Sequence, residues 1–418
     1  MRAQEHSRTY RDFDLAREID PAEMEALERA GLVDQPQPRS GRKTPMAGIS
    51  IPAMPDELRP PPQRGRGATF NPRNRFEQRD ASPFDDGWET LTAEFAELPK
   101  LQTTLTRDSS RSVISWNQSP DLGFDRAVNP YRGCEHGCVY CYARPSHAYL
   151  GHSPGLDFET KLLYKPDVAT LLEKELRKPG YVARPLALGS NTDPYQPIER
   201  TLKLTREVLE VMDRFNHPVS IVTKSAGVLR DLDILQELAG RNLVRVYLSV
   251  TTLDATLARK MEPRAATPLR RIEAIRALSA AGVPTGVLAA PMIPGLNDSE
   301  MERILEACAK AGARQAGYVL LRLPHELKQI FEDWLHTHYP DRARHVLELV
   351  RETRAGGLND ARFGKRFTGT GVYADLLARR FSRAARHLGL EDRQDLDCSQ
   401  FSAPVTQGGF SETQMSLF

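Results

Sequence analysis

From residue 124 to about 321 the chain alternates short apolar runs with longer amphipathic stretches, and this rhythm restricts the fold more than any other feature. The apolar runs fall at residues 185–189, 219–223, 244–250, 285–290 and 317–321. They are too short for buried helices, and several are rich in β-branched residues, so they read as strands. Between them, residues 168–177, 202–215, 232–239, 268–281 and 299–311 carry helical spacing. Strands that alternate with helices of this length pair in parallel, and right-handed crossovers curl such units into a barrel. The expected class is α/β, a partial (βα)6 TIM-type barrel, with chemistry at the C-terminal ends of its strands.

The flanks read differently. Residues 1–120 form a polar arm, with one short helix expected over 20–30, capped by Asp20 before Pro21. Residues 35–74 are rich in Pro, Arg and Gly and include Arg64-Gly65-Arg66-Gly67-Ala68. Such composition buries too little apolar surface to offset chain entropy, so the arm is expected to be largely disordered. Arg64, Arg66, Arg73 and Arg75 are then candidates for phosphate contacts. The barrel is expected over 121–324, and a helical region over 325–395 with helices at 325–337, 341–354 and 373–387. A flexible tail follows over 396–418.

Lys and Arg number 57 against 55 Asp and Glu, a formal net charge of +2, so attraction to a polyanion has to come from local patches. No stretch reaches the ~20 apolar residues of a membrane span, so no membrane partner is expected. The charged N-terminus lacks the apolar core of a secretory leader, and a cytoplasmic location is expected.

Three of the five cysteines lie in Asn129-Pro130-Tyr131-Arg132-Gly133-Cys134-Glu135-His136-Gly137-Cys138-Val139-Tyr140-Cys141, a C-x3-C-x2-C spacing. Cys134, Cys138 and Cys141 can hold three irons of a four-iron cluster and leave the fourth iron open to a small ligand. A structural zinc site wants four ligands, and His136 or His147 offers a fourth, so zinc stays an alternative. Cys308 reads as a packing residue on a helix and Cys398 as a surface residue.

This loop, with Tyr140 before its third cysteine, resembles the radical S-adenosylmethionine (radical SAM) superfamily over about residues 124–323. Within it, Thr192-Asp193-Pro194-Tyr195-Gln196-Pro197, Thr223-Lys224-Ser225 and Met261-Glu262-Pro263-Arg264 are most similar to the spore photoproduct lyase-like branch, also called DNA repair photolyase-like. The resemblance implies one [4Fe-4S] cluster and S-adenosylmethionine as cofactors, reductive cleavage to a 5′-deoxyadenosyl radical, and hydrogen abstraction from substrate. Such a radical has to be shielded from solvent, which a barrel interior can do.

Residue by residue, the resemblance places Tyr140 near the adenine and Ser190, Asn191, Thr192 and Asp193 around the methionyl amino group. Lys224 is expected at the carboxylate, and Ser249 and Thr251 at ribose or carboxylate. Arg264, partnered by Glu262, is a further carboxylate clamp. Met292, Ile293 and Pro294 belong to a loop resembling the superfamily's adenine-contacting G-x-I-x-G-x-x-E, with Pro291 for the first glycine and Asp298 for the glutamate. The cysteine hydrogen donor of spore photoproduct lyases has no counterpart beside the loop, and Tyr195 is the candidate donor in its place.

Arg362, Lys365, Arg366, Arg379 and Arg380 interleave with aromatic residues, which suits phosphate contact with base stacking. A basic helical face over the barrel is the competing reading. Gln414, Leu417 and Phe418 match the Q-x-x-L-F peptide that docks repair proteins on the sliding clamp. A flavodoxin or ferredoxin is the expected reductant. Together these imply hydrogen abstraction from nucleic acid, with DNA favoured and lesion repair as a lyase-type activity. The alternatives are modification of RNA or a peptide, or a non-catalytic, metal-stabilised nucleic-acid-binding module.

Overall fold

The computed structural model describes residues 65–77, 101–392 and 394–404. Among the described residues ten strands occur in chain order: β1 (Thr104–Arg107), β2 (Ile114–Trp116), β3 (Arg126–Val128), β4 (Tyr131–Arg132), β5 (Lys161–Tyr164), β6 (Leu186–Leu188), β7 (Val219–Thr223), β8 (Val244–Ser249), β9 (Thr285–Met292) and β10 (Gln315–Leu320). The helices of the barrel are α1 (Leu156–Thr160), α2 (Val168–Leu176), α3 (Glu199–Leu202), α4 (Leu204–Arg214), α5 (Leu232–Gly240), α6 (Ala255–Met261), α7 (Pro268–Ala280) and α8 (Met301–Lys310). Beyond them lie α9 (Leu327–His338), α10 (Pro340–Glu352) and α11 (Val372–His387).

The main sheet runs β10-β9-β8-β7-β6-β3-β2. Its first six strands are parallel and lie in reverse chain order, with β4 and β5 between β3 and β6 diverted to another sheet, and β2 pairs antiparallel with β3 at the edge. This is the expected partial (βα)6 barrel. A second, smaller sheet, β1-β5-β4, lies beside the segment that follows β3. Burial alternates along β7, where Val219, Ile221 and Thr223 are buried and Ser220 and Val222 less so. On α4, Leu204, Val208, Leu209, Val211 and Met212 are buried in the core shared with the strands, as helical spacing requires.

Local signals explain the helix ends. Asp254 accepts from the amides of Thr256 and Leu257 at the start of α6. Thr267 accepts from Arg270 N, ahead of Pro268 at the first position of α7. After α7, Gly282 takes φ +80°, a left-handed turn that glycine adopts without a Cβ penalty.

The region beyond the barrel is helical, and α9 and α10 build a second apolar core. There Phe331, Trp334, Leu335, Val346 and Val350 pack with Cys138, Val139 and Tyr140 of the cysteine loop. The indole of Trp334 also donates to Lys260 O at 3.0 Å, tying α9 to the end of α6. Helix α11 packs against α8 and β10.

One expectation needs correction. Residues 1–120 were expected to be a largely disordered arm, yet 101–120 carry β1 and β2. Residues 65–77 of that arm lie against the cysteine loop, with Ala68 only 1% exposed. Their order comes less from apolar area than from backbone amides bonded to a buried carboxylate, a force that composition does not report. The phosphate role foreseen for two of their arginines also changes. Arg66 donates to the carbonyls of Glu159 and Leu101, and Arg75 pairs with Glu326 at 2.9 Å. The helix expected at 20–30, Arg64 and the tail residues Gln414, Leu417 and Phe418 lie outside the described residues.

Candidate active site

The cysteine loop leaves β4 at Gly133, whose φ of +77° and close neighbours leave no room for a side chain; a Cβ there would stand 2.7 Å from Leu162 Cδ2. Backbone and side-chain bonds then hold the loop at several points. Cys134 N donates to Phe158 O at 2.9 Å, Glu135 N to Gln196 Oε1 at 2.9 Å, and Val139 N to Met261 O at 3.0 Å. The fully buried Arg144 donates to Cys138 O at 2.8 Å and pairs with the equally buried Glu159.

Cys134 and Cys138 are buried and Cys141 is half-buried. Burial pushes the Cys138 thiol up to about 12, and the Glu262 and Cys141 charges add to it against the pull of Lys224. Burial likewise raises Cys134, helped by Asp193 and the other two thiols. Thiols so placed resist ionising on their own, and a bound cation removes that penalty. The residues fit an iron–sulfur cluster better than zinc. His136 turns Nδ1 toward Asp193 at 3.3 Å and His147 engages Lys161 O at 2.9 Å through Nε2, so one nitrogen of each ring faces a neighbour other than the thiols. Among the described residues no three His, Cys, Asp or Glu side chains converge as ligands of one ion. Three thiolates on three separate irons need no such convergence.

The turn after β6 borders this loop. Asn129 organises it: its Oδ1 accepts from the amides of Asn191 at 3.0 Å and Thr192 at 3.3 Å, and its Nδ2 donates to Ser190 Oγ at 3.1 Å. The Asn191 side-chain oxygen is buried with no hydrogen-bond partner. A buried acceptor without a donor is costly, and an ammonium would satisfy it. That is the observation by which the site fits the amino group of S-adenosylmethionine.

Two neighbours do not offer what was expected. Thr192 Oγ1 donates to Tyr131 O at 3.0 Å. Asp193 was expected as an open acceptor, but its carboxylate takes bonds from Thr223 Oγ1 at 2.7 Å, Lys224 N at 2.8 Å and Tyr195 N at 2.9 Å. Although burial opposes it, His136 and these donors hold the Asp193 carboxyl well below the usual range. It therefore acts as a brace between the β6 turn, the end of β7 and the cysteine loop.

Lys224, at the end of β7, has its ammonium 5.8 Å from the centroid of the Tyr140 ring. Burial alone would lower its pKa, but Cys138, Glu262 and Asp193 raise it, so it stays charged. Beneath it lies a buried polar network. Tyr140 O–H is bonded to Glu262 and lies 3.2 Å from Thr251 Oγ1, which donates to Glu262 at 2.6 Å and also contacts Ala290 O at 3.1 Å. Arg271 closes the network by pairing with Glu262 and donating to Ser249 O at 2.9 Å.

The expected Arg264–Glu262 pair is replaced. Arg264 instead meets Glu135 of the cysteine loop at 3.0 Å, and Arg271 from α7 takes Glu262. Met292 at the end of β9 and Ile293 and Pro294 just past it are buried, and Asn297 holds the loop through Ile293 N at 2.6 Å and Thr251 O at 2.8 Å. Tyr195, the candidate hydrogen donor, is buried on the side of Arg230, whose guanidinium carbon lies 5.7 Å from its ring centroid. Burial and the Asp231 charge raise its pKa. Its hydroxyl is buried and makes no hydrogen bond among the described residues.

Two of the expected nucleic-acid residues also turn inward. Arg366 pairs with Asp121 at 3.0 Å, and Arg380 pairs with Glu302 at 2.7 Å and donates to Asp298 O at 3.0 Å. Arg362 pairs with Asp360 at 2.7 Å but stays exposed, as do Lys365 and Arg379.

Sequence reasoning missed the barrel mouth. Tyr142, next to Cys141, is 42% exposed and donates to Ser190 O. Arg322, just beyond β10, lies 5.3 Å from the Tyr142 ring centroid and 5.7 Å from that of Phe367. Arg366 continues the stack over Phe367 and Phe363, at 4.8 and 5.1 Å. The aromatic residues on either side of the region were visible in the sequence; their meeting across the mouth was not.

Comparison with known proteins agrees with this geometry. The model of the radical SAM superfamily matches residues 128–308. An uncharacterized protein of Mycobacterium tuberculosis (strain ATCC 25618 / H37Rv) is 38% identical over 232 residues, covering 55% of this chain and 68% of that protein. The radical SAM Nalpha-GlyT isomerase of Pseudomonas phage M6 is 23% identical over 240 residues, 56% of this chain and 48% of that one. A spore photoproduct lyase complexed with dinucleoside spore photoproduct shares the fold, with a TM-score of 0.50 at 16% identity over 68% of this chain and 78% of that chain. This chain belongs to the radical SAM superfamily.

Proposed function

We propose that the substrate of this radical SAM enzyme is a nucleic acid, DNA before RNA, and that the reaction alters or repairs a base. The observation that carries the reading is the stack of Tyr142, Arg322 and Phe367 at the barrel mouth, beginning one residue from Cys141. Alternating aromatic and guanidinium planes suit a flat base, and a base extruded from its strand can reach a recessed site. Exposed Arg362, Lys365 and Arg379 supply charge for the flanking phosphates. A protein of this fold is known in complex with a dinucleoside photoproduct, so a ligand of that size suits the architecture.

The family's cofactors are a [4Fe-4S] cluster and S-adenosylmethionine, which when bound supply one-electron cleavage and hydrogen-atom abstraction. The chain's own residues do the rest. Cys134, Cys138 and Cys141 present the thiolates. Asn191 accepts from the amino group, Lys224 meets the carboxylate, and the Glu262–Arg271 pair keeps Tyr140 and Thr251 in place beneath them. The covered loop and the second apolar core exclude water, which protects a reactive carbon centre.

The enzyme needs a reductant, for which a flavodoxin or ferredoxin is proposed, in the cytoplasm. Docking on a sliding clamp through Gln414, Leu417 and Phe418 belongs to the same proposal and rests on the sequence alone.

The test is a deuterium screen with the anaerobically reconstituted enzyme. Damaged and undamaged DNA, RNA and a peptide pool, each deuterated, are incubated with S-adenosylmethionine and dithionite. Label in 5′-deoxyadenosine from a DNA arm supports the reading, and label from the peptide arm alone overturns it. In a binding assay with fluorescent single-stranded DNA, Arg322→Ala should weaken affinity by about tenfold, the loss of one stacking contact.

A further inference from the structure

Residues 65–77 make a second, independent hold on the cysteine loop. At Gly67 the segment touches the middle of that loop backbone to backbone. A Cβ built there would stand 1.7 Å from Gly137 O and 2.9 Å from its carbonyl carbon, a space no side chain can enter. The next link is Glu159, whose two carboxylate oxygens accept from Gly67 N at 3.0 Å and Ala68 N at 2.8 Å. The same carboxylate pairs with Arg144, and Arg144 donates to Cys138 O at 2.8 Å. Ala68 completes the contact by packing into the core that contains Cys138, Val139 and Tyr140.

The rest of the segment is pinned elsewhere. Thr69 is hydrogen-bonded to Asp333 and Arg75 pairs with Glu326 at 2.9 Å, one on α9 and one just before it. Asn74 donates to Ala148 O at 2.9 Å, beyond the third cysteine. Arg66 reaches Thr103 Oγ1 at 3.3 Å, and Thr103 in turn donates to Glu135 Oε1 at 2.7 Å. A polar stretch is thus fastened at both ends and wedged at Gly67, near its start, against the loop between Cys134 and Cys138.

We propose that residues 65–77 are a clasp for the cluster site, with Gly67 as its positioning residue. The clasp holds the loop in the shape that presents three thiolates and closes its outer side against oxidant and chelator. The inference rests on Cys134, Cys138 and Cys141 being the cluster ligands. Supports placed behind metal ligands commonly change metal retention by about tenfold to hundredfold when removed.

The experiment uses the full chain, reconstituted anaerobically with iron and sulfide. Two variants are compared with the parent: Gly67→Ala, which pushes a methyl into Gly137, and Thr69→Val with Arg75→Gln, which unfastens the clasp from α9 and leaves the Gly67 contact intact. The readouts are iron per chain, the rate at which the brown colour bleaches in air, and the rate at which a chelator strips the iron. Thermal unfolding of the iron-free proteins is followed alongside.

Gly67→Ala should lose iron about tenfold faster, and the paired variant should move the same way by a smaller factor. Parent rates in the folded variants overturn the proposal. So does a loss of cluster lifetime matched by an equal loss of iron-free stability, which would be ordinary packing. If Gly67→Ala fails to fold, the paired variant decides. Cys138→Ala separates the two layers: a parent that takes up iron no better than Cys138→Ala refutes the cluster ligands themselves, whereas a brown parent with indifferent clasp variants refutes only the clasp.

Discussion

Arg271 and Glu262 form an ion pair whose side chains are 1% and 0% exposed, one hydrogen bond from Tyr140 in the cysteine loop. Burial works against the Glu262 charge, but Arg271 and Lys224 keep its pKa below the ordinary value. Removing one partner of such a pair leaves the other charged in a place water cannot reach. Arg271→Met should therefore cost about 3–5 kcal/mol. Adding Glu262→Gln should restore part of that loss. Urea unfolding of the iron-free protein measures both; an additive double variant would show that the two residues are not coupled.

Lys224 should act on S-adenosylmethionine rather than on the fold. Its ammonium lies over Tyr140, and a charge-assisted bond to a carboxylate is worth about 1.5–3 kcal/mol, or roughly a tenfold to hundredfold change in Kd. Lys224→Gln should weaken cofactor binding by that factor while the protein keeps its iron and colour. Calorimetric titration of the reconstituted enzyme checks it, and an unchanged Kd refutes the assignment.

His217 should make the protein sensitive to mild acid. Burial, with the Arg126 charge behind it, pushes its imidazole down to about 4, although the Pro218 carbonyl opposes this. The unfolded chain, titrating near the ordinary imidazole value of about 6.5, binds the proton more tightly than the folded one. The stabilisation from the neutral ring is therefore complete above pH 6.5, declines as pH falls toward 4, and is gone below it. The drop is about 3 kcal/mol. His217→Gln should lose less stability than the parent between pH 7 and 4.5. Equal losses in chemical denaturation at the two pH values would refute the role.

Arg354 governs the segment that completes the barrel mouth. Its guanidinium donates to four carbonyls: Leu320 at 2.7 Å, Leu321 at 3.0 Å, Lys365 at 3.0 Å and Arg366 at 2.9 Å. Burial and the Arg322 charge push it down to about 10, so it remains protonated at neutral pH. Arg354→Met should cost about 2–4 kcal/mol and free residues 358–371 for local opening. Trypsin should then cut at Arg362 or Lys365 sooner than in the parent, and an unchanged digestion pattern would contradict this.

The strands and helices of the barrel were legible because each repeats a local pattern. The span read at 219–223 coincides with β7, and the helix read at 168–177 ends one residue past α2. Strand β3 escaped notice because three residues before a polar loop carry too little periodicity. The three cysteines were legible because their spacing lies within one loop. Arg271 was not, because its partner Glu262 lies nine residues away on the far side of a helix N-terminus, and Arg264 looked nearer. Gly67 was hidden for a related reason: a glycine in a Pro- and Arg-rich stretch looks the same whether it is solvated or pressed against another backbone.

The amino-acid sequence by itself determined the alternation of strand and helix and the thiol spacing that suits an iron cluster. Those properties are written in periods and spacings of a few residues, so a linear reading recovers them. Only the tertiary structure decided which charges meet. Asp193, Arg264, Arg366 and Arg380 each take a partner other than the one expected. A buried charge is settled by whichever opposite group reaches it after all the elements have packed, and that choice is made across tens to hundreds of residues.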